Sequence, residues 1–338
     1  MIITQTPFRM SFFGGGTDMP EFFNEYGGSV LSTTFDKYCY VTVRHLPRFF
    51  DYKTHLTYSK MEYANEYKDI EHPLIRNAMQ MLDMHELRLT YDADLPARSG
   101  LGTSSSFAVG LLNAFYCLKG KYVDKRKLAN EAICVERTLC HEAGGWQDQV
   151  AAAFGGFNRI DFNDDQYEVH PVIIAPVRKH QLNKNLLMFF TGFTRFSAAI
   201  QTANVAKGES KVARIARLQE MLSLVNDAEK ILTDITCDLD DFGRLLDHTW
   251  QLKRKTGSAV SSDSIDDLYR RGIQAGALGG KLLGAGGGGF LVFYVQAEKR
   301  QAVKQALREL LYIPFEFENA GAQVIHYEAE DYESLEQK

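Results

Sequence analysis

The sequence predicts a mixed α/β protein built as two domains, and three observations carry that expectation. Its 338 residues exceed twice the ~150 that a single domain typically holds. Segments with strand-like alternation are interleaved with segments of helical period along the whole chain. Between Pro171 and Asn185 the composition changes: Pro171, Pro176 and a basic polar run mark a junction, giving predicted domains of 1–180 and 181–338.

The elements follow in order. Ile2–Phe13 is short, apolar and strand-compatible, and it runs into Gly14-Gly15-Gly16-Thr17-Asp18. Glycines there let the backbone turn sharply or approach a ligand, with Asp18 as an acceptor for hydroxyls or as the N-cap of a helix over 19–26. Residues 29–46 read as two strands around Asp36-Lys37, and 47–72 as a long irregular loop. Pro73–His85 carries Leu74, Ala78, Met81 and Leu82 at helical spacing, and Leu87–Tyr91 alternates as a strand. A second helix is expected over Lys125–His141, bearing Glu136, and a short one from Trp146 that includes Asp148. Phe157–Phe162 and Leu186–Thr191 are strands. Helices are expected over 209–233, 238–255, Ile265–Gly276 and 297–311, with strands at Phe290–Val295 and Ala322–Tyr327.

Composition narrows the function classes. Hydrophobic content of 45% and charged content of 24% fit a soluble globular protein. Lys plus Arg (38) against Asp plus Glu (43) gives a net charge of −5, which argues against a nucleic-acid binder. No apolar run approaches the ~18 residues of a membrane span, and MIITQTPFRM lacks the features of a signal peptide. Five scattered cysteines without a CxxC pair fit reduced thiols in a cytoplasmic protein.

One stretch concentrates the chemistry: Leu95–Leu112, LPARSGLGTSSSFAVGLL. Pro96, Gly100 and Gly102 break regular structure, Thr103–Ser106 offer hydroxyls, and an apolar helix follows. A helix N-terminus presents unpaired N–H groups and a partial positive charge, which suit a phosphate; a simple capped helix after a loop is the plainer alternative. The second glycine-rich run, 284–289, satisfies G-x-G-x-x-G in letters, yet a dinucleotide fingerprint needs a helix after it and here a strand follows. Walker A, HExxH, zinc-spaced Cys/His clusters and the G-x-S-x-G elbow are all absent. Two glycine loops, a hydroxyl run and the acids Asp18, Glu136 and Asp148 remain. That is a kit for phosphoryl transfer, with hard oxygen ligands for Mg²⁺ and a base near the acceptor. Taken singly, Glu136 is equally a solvated helix residue and Asp148 equally a helix cap.

In this order the motifs resemble those of the GHMP family of small-molecule kinases. Pro7-Phe8-Arg9-Met10-Ser11 with Gly14 and Thr17-Asp18 resembles the first motif, Pro96 with Gly100-Leu101-Gly102-Thr103-Ser104-Ser105 the phosphate loop, and Lys281–Phe290 the C-terminal glycine loop. The resemblance implies an N-terminal domain carrying the phosphate loop and a C-terminal ferredoxin-like α+β domain. It implies ATP bound at Gly100, Leu101, Gly102, Thr103, Ser104, Ser105, Gly286 and Gly287, and Mg²⁺ held by Ser104 and Glu136. Asp148, twelve residues after Glu136, would take the acceptor proton, with Arg9 assisting the reacting groups.

Galactokinases carry Glu-His where this chain has Gly15-Gly16. The glycine form looks more like the D-glycero-D-manno-heptose 7-phosphate 1-kinases and the related fucokinase-type domains. Gly15, Gly16, Thr17, Asp18 and Arg195 are then the candidate sugar contacts. Lys253 and Arg254 are further candidate cations for a phosphorylated sugar, against surface solvation or helix pairing. The expected reaction is transfer of the γ-phosphate to the anomeric hydroxyl of the heptose 7-phosphate, giving the 1,7-bisphosphate. Another sugar 1-kinase, or a non-catalytic sugar and ATP binder, is the alternative. The expected protein is a monomer or homodimer without membrane or nucleic-acid partners.

Overall fold

The computed structural model describes residues 1–192, 210–255 and 260–328. β1 (Ile2–Phe13), α1 (Pro20–Tyr26) and β2 (Gly28–His45) open the chain. β1 alternates buried and part-exposed residues only up to Gln5, then is buried on both faces from Thr6 to Phe13. Its inner end lies between the two halves of the molecule: Phe12 stacks on Phe157 at 5.6 Å and meets Phe242 edge-on at 5.3 Å.

Residues 29–46 form one strand rather than the expected two. Partners along β1 jump from Tyr38 opposite Pro7 to Phe35 opposite Phe8, so Asp36 and Lys37 form a bulge. The polar pair that reads as a turn is a local kink in a continuous strand. It lets the first half of β2 pair with β6 (Phe157–Asn163) and the second with β5 (Leu87–Ala93). The expected loop at 47–72 holds β3 (Thr54–Thr57) and β4 (Met61–Ala64), an antiparallel hairpin whose β3 runs parallel to β5. Strands of four residues are too short to display a period.

α2 (Pro73–Met81) stops before the predicted His85. α3 (Thr103–Leu118) is buried almost all round and approaches β1 closely: Thr4 Oγ1 donates to Gly110 O at 2.9 Å and Ser106 Oγ to Pro7 O at 2.9 Å. α4 (Lys125–Ile133) is capped by Asp124, which accepts from Lys127 N at 2.7 Å. It runs on into a π-helical turn, Cys134–Leu139. α5 (Gln147–Phe154) and the hairpin of β6 with β7 (Gln166–Pro171) follow. Asp164 and Asp165, both at positive φ (49° and 55°), make that hairpin turn.

α6 (Pro176–Asn185) leads into β8 (Leu186–Phe190). Then come α7 (Lys211–Thr233), α8 (Asp240–Arg254), α9 (Asp263–Gln274), β9 (Gly279–Leu282), β10 (Phe290–Tyr294), α10 (Arg300–Ala306) and β11 (Leu311–Ile313). The expected helix to 311 therefore ends early and its tail is a strand. The four strands form an antiparallel sheet in the order β11-β8-β10-β9. Strand, helices, two strands, helix, strand in this order is the ferredoxin-like arrangement. Gly279 and Gly280 belong to β9, and α8 passes too close there for a side chain: a Cβ on Gly279 would strike Gly243 O.

β12 (Phe317–Glu318) and β13 (Gln323–Tyr327) return to the first sheet, pairing with β2 and β1. That sheet has nine strands among the described residues. The proposed division at 180/181 falls within α6, just before the chain enters the second sheet, and β12 and β13 cross back over it. One apolar core runs through both halves and joins Phe12, Phe13, Leu31 and Phe157 to Leu224, Val225 and Phe242. A second, around Trp250, Tyr269 and Phe293, lies within the C-terminal half.

Candidate active site

The two glycine-rich loops, far apart in sequence, pack backbone against backbone. Gly100 (φ 83°) and Gly284 (φ 74°) touch so closely that a Cβ on Gly100 would strike Leu283 O and one on Gly289 would strike Ser99 O. Only glycine allows both the left-handed conformation and this approach. Gly102 (φ 71°) turns the chain into α3. Thr103 Oγ1 accepts from Arg98 N at 3.2 Å, Ser104 is exposed in the first turn, and Ser105 and Ser106 point inward. Leu101 is buried, and its carbonyl accepts from Arg9 N at 3.1 Å, which ties the loop to β1.

Beneath Gly102 lie Arg9 and Asp148. The guanidinium grips the carboxylate with two bonds, Nε to Oδ1 at 2.7 Å and Nη2 to Oδ2 at 2.9 Å, while Nη1 donates to Gly100 O at 2.7 Å. Arg9 is almost wholly buried and Asp148 is 23% exposed, so the carboxylate keeps one open side. A forked pair of this kind fixes orientation as well as charge. Asp148 stands in the first turn of α5, where the helix dipole favours an anion.

Glu136 sits in the π-helical turn and is buried. Such turns re-aim side chains within a helix. Its carboxylate accepts from Ser105 Oγ at 2.7 Å and from the Gln149 amide. The hydroxyl brought to Glu136 is thus that of Ser105; predicted partner Ser104 makes no described bond to it. Among the described residues no Lys, Arg or His is in ion-pair contact with Glu136, and no group of three His, Cys, Asp or Glu is poised to hold a metal. A buried carboxylate served only by neutral donors is a donor set that a hard divalent cation suits.

Asp18 is buried and acts on the backbone. It accepts from Gly16 N at 2.9 Å and Gln147 N at 3.3 Å, and its carbonyl accepts from Trp146 N at 3.1 Å. Burial, and secondarily the charge of Asp148, hold its carboxyl above the usual range. Asp18 therefore ties the Gly14–Gly16 turn to the start of α5. Thr17 is also structural: its hydroxyl donates to Gly14 O and Ser29 O and accepts from Ser29 N. Gly15 opens toward Ser11 Oγ and Gln147 Nε2, each 3.8 Å from where a Cβ would stand. Ser11 Oγ and Gln147 Oε1 are buried there and make no described hydrogen bond within the protein. Gly16 faces Leu218 of α7.

The remaining predicted residues are distributed as follows. Gly286 and Gly287 pack on Val260, and Gly287 N donates to Val260 O at 2.9 Å, so that amide is engaged within the protein. Arg254 pairs with Asp266 at 2.5 Å, the helix pairing that was its alternative reading. Arg195 lies outside the described residues. The sequence reading gave no role to Ser11, a letter of the first motif, or to Gln147 and Gln149, which flank Asp148. It also left Lys281 as a letter of the glycine motif; its burial in β9 becomes visible only once α8 and β1 are seen to close over it.

Residues 69–156 match the GHMP kinases N terminal domain and residues 234–313 the GHMP kinases C terminal domain. The chain is 31% identical to a D-glycero-alpha-D-manno-heptose 7-phosphate kinase of Campylobacter jejuni subsp. jejuni serotype O:2, over 91% of this chain and 93% of that protein. It is 26% identical to a bifunctional fucokinase/GDP-fucose pyrophosphorylase of Arabidopsis thaliana, over 90% of this chain but only 31% of that longer protein. The crystal structure of a D-glycero-D-manno-heptose 1-phosphate kinase from Bacteroides thetaiotaomicron superposes with a TM-score of 0.78 at 25% identity, covering 97% of this chain and all of that one. No described helix is long and apolar enough to cross a membrane. With both family domains in place and a full-length relative above 30% identity, the chain belongs to the GHMP kinases, as an ATP-dependent phosphotransferase acting on an alcohol group of the sugar-kinase kind.

Proposed function

We infer that the protein phosphorylates the anomeric hydroxyl of D-glycero-D-manno-heptose 7-phosphate with ATP, yielding the 1,7-bisphosphate. The observation that carries the chemistry is the Arg9–Asp148 fork directly under Gly102 of the phosphate loop. Similarity along nearly the whole chain to the Campylobacter heptose 7-phosphate kinase supports the choice of sugar.

In this mechanism the loop at 100–105 and the N-terminus of α3 receive the donor phosphates. Asp148 accepts the proton of the attacking hydroxyl on its open side, while Arg9 holds the carboxylate in place and offers positive charge to the transferring group. Glu136 with Ser104 would hold Mg²⁺, which when bound neutralises phosphate charge. Glu136 fits that role as a buried carboxylate without a cationic partner. Ser104, exposed in the same helical turn as Ser105, supplies the hydroxyl on the open side. Gly15 and Gly16 leave room for the sugar beside Ser11 and Gln147; Asp18 and Thr17 shape that turn and Asp18 reaches the sugar only by giving up a backbone bond. We place the enzyme in the cytoplasm, as a monomer or homodimer.

Coupled ADP release with D-glycero-D-manno-heptose 7-phosphate, L-fucose and D-galactose as acceptors tests the assignment. Preference for the heptose phosphate by about 100-fold or more in kcat/KM, ~2.7 kcal/mol in transition-state binding, is expected. Preference for fucose would move the protein to the fucokinase reading that the Arabidopsis relative favours. Binding of ATP and sugar without ADP release would make it a non-catalytic binder.

A further inference from the structure

Glu136 is held by two helices that also carry the phosphate loop's hydroxyls and Asp148. Its carboxylate is buried in the π-helical turn that continues α4. Ser105 Oγ, from the first turn of α3, donates to Glu136 Oε2 at 2.7 Å. The side-chain amide of Gln149, from the first turn of α5, donates to the same oxygen. Both donors are buried, and neither described bond reaches Oε1.

Two donors on one oxygen is an uneven division. An ionised carboxylate offers about four lone-pair sites over its two oxygens, and burial makes each unengaged site costly. Donors spread over both oxygens would serve a purely structural carboxylate better. Sharing Oε2 instead fixes the rotation of the carboxylate from two directions and keeps Oε1 clear of protein donors.

Position along each helix points the same way. Ser104 and Ser105 are consecutive, as are Asp148 and Gln149, and successive helical residues point about 100° apart. In α3, Ser104 is exposed while Ser105 turns inward to Glu136. In α5, Asp148 meets Arg9 while Gln149 turns to Glu136. One turn of each helix thus sets the phosphate loop and Asp148 in register with a single carboxylate.

We propose that Ser105 and Gln149 are positioning residues that grip one oxygen of Glu136 and leave the other for the divalent cation accompanying ATP. The proposal rests on the kinase reading for the presence of that cation. A carboxylate already held in one orientation binds a metal without first being ordered, which is how partners behind a ligand raise metal affinity.

Calorimetric binding of ATP, in excess Mg²⁺ and again in EDTA, tests it without turnover. The proteins compared are the parent, Ser105→Ala, Gln149→Met, and the same two changes made together with Glu136→Gln. Methionine keeps the length of the glutamine and removes its donor. Affinity in Mg²⁺ is expected to fall about 10- to 100-fold in each single variant, with affinity in EDTA unchanged. Combined with Glu136→Gln, neither change should weaken binding further. Equal losses in Mg²⁺ and EDTA, unchanged affinity in both, or a loss that persists without the Glu136 carboxylate would each overturn the proposal. A parent that binds ATP alike in Mg²⁺ and in EDTA overturns it too, because Oε1 then serves no cation. Should Gln149→Met not fold, Ser105→Ala decides, since it removes one oxygen from a helix that alanine favours. If the parent phosphorylates no sugar, the kinase reading falls, while the Mg²⁺ dependence of ATP binding still judges the two positioning residues.

Discussion

Replacing Asp148 by Asn keeps the shape of the side chain and removes its charge. In the structure this carboxylate takes two bonds from Arg9, at 2.7 and 2.9 Å, and Arg9 is buried. An amide can accept one of those bonds and must face the guanidinium with its own NH₂ at the other. Breaking a fully buried pair costs about 3–5 kcal/mol, and the partial exposure of Asp148 brings the expected loss to about 1–3 kcal/mol. Relief of Asp18, whose carboxyl is raised partly by the charge of Asp148, offsets a fraction of this. Turnover is another matter. Without the base, kcat should fall by about 10²–10⁴, or ~3–5 kcal/mol in activation free energy. Nucleotide binding should survive, since the amides of the phosphate loop are untouched. ADP release under saturating ATP and sugar, with calorimetric ATP binding and a urea melt on the same preparation, separates the three effects. A variant that folds, binds ATP and turns over within fivefold of the parent would refute Asp148 as the base.

Glu136→Gln preserves acceptance from Ser105 and removes the buried charge, so stability should hold or rise while half-maximal rate requires about 10- to 100-fold more Mg²⁺; Mg²⁺ titration of the rate checks this. Gly100→Ala places a Cβ against Leu283 O at a φ of 83°, and should cost about 2–5 kcal/mol from left-handed strain and overpacking together. A urea midpoint close to the parent's would contradict the loop contact. Lys253 gives a pH signature. Its folded value near 8 lies below its ordinary 10.5, so between these pH values the unfolded chain binds more protons and the stability of the parent rises. Relative to Lys253→Met, the parent should therefore gain stability from pH 8 to 10.5. A flat difference in thermal midpoints across that range would show that Lys253 is not held in a desolvated site.

Much of the fold was legible because long elements advertise their period. The helices at 103–118, 211–233 and 240–254 and the strands at 2–13 and 290–294 stand close to where alternation or helical spacing puts them. The four-residue strands of the 54–64 hairpin gave no period to read, and the Asp36-Lys37 bulge imitated a turn because polar residues serve both. The site divides in the same way. The glycine loops were legible because a positive φ or a close backbone approach demands glycine; Arg9, Glu136 and Asp148 were assigned roles through the resemblance of the motifs around them to the GHMP kinases.

What the letters could not carry was which atoms meet. That Ser105 rather than Ser104 touches Glu136 depends on one turn of α3 packed against a π-helical turn; that Asp18 clamps α5 depends on the Gly14–Gly16 turn folding under it. Lys281 was read as a letter of the glycine motif and Lys253 as a candidate sugar-pocket cation; only the closure of the second sheet over β1 buries Lys281 and brings the Lys253 ammonium under the C-terminal glycine loop. Composition and local spacing determine which groups a chain has and how each segment prefers to fold. Tertiary packing decides which groups lose their water, and so which of them become reactive neighbours.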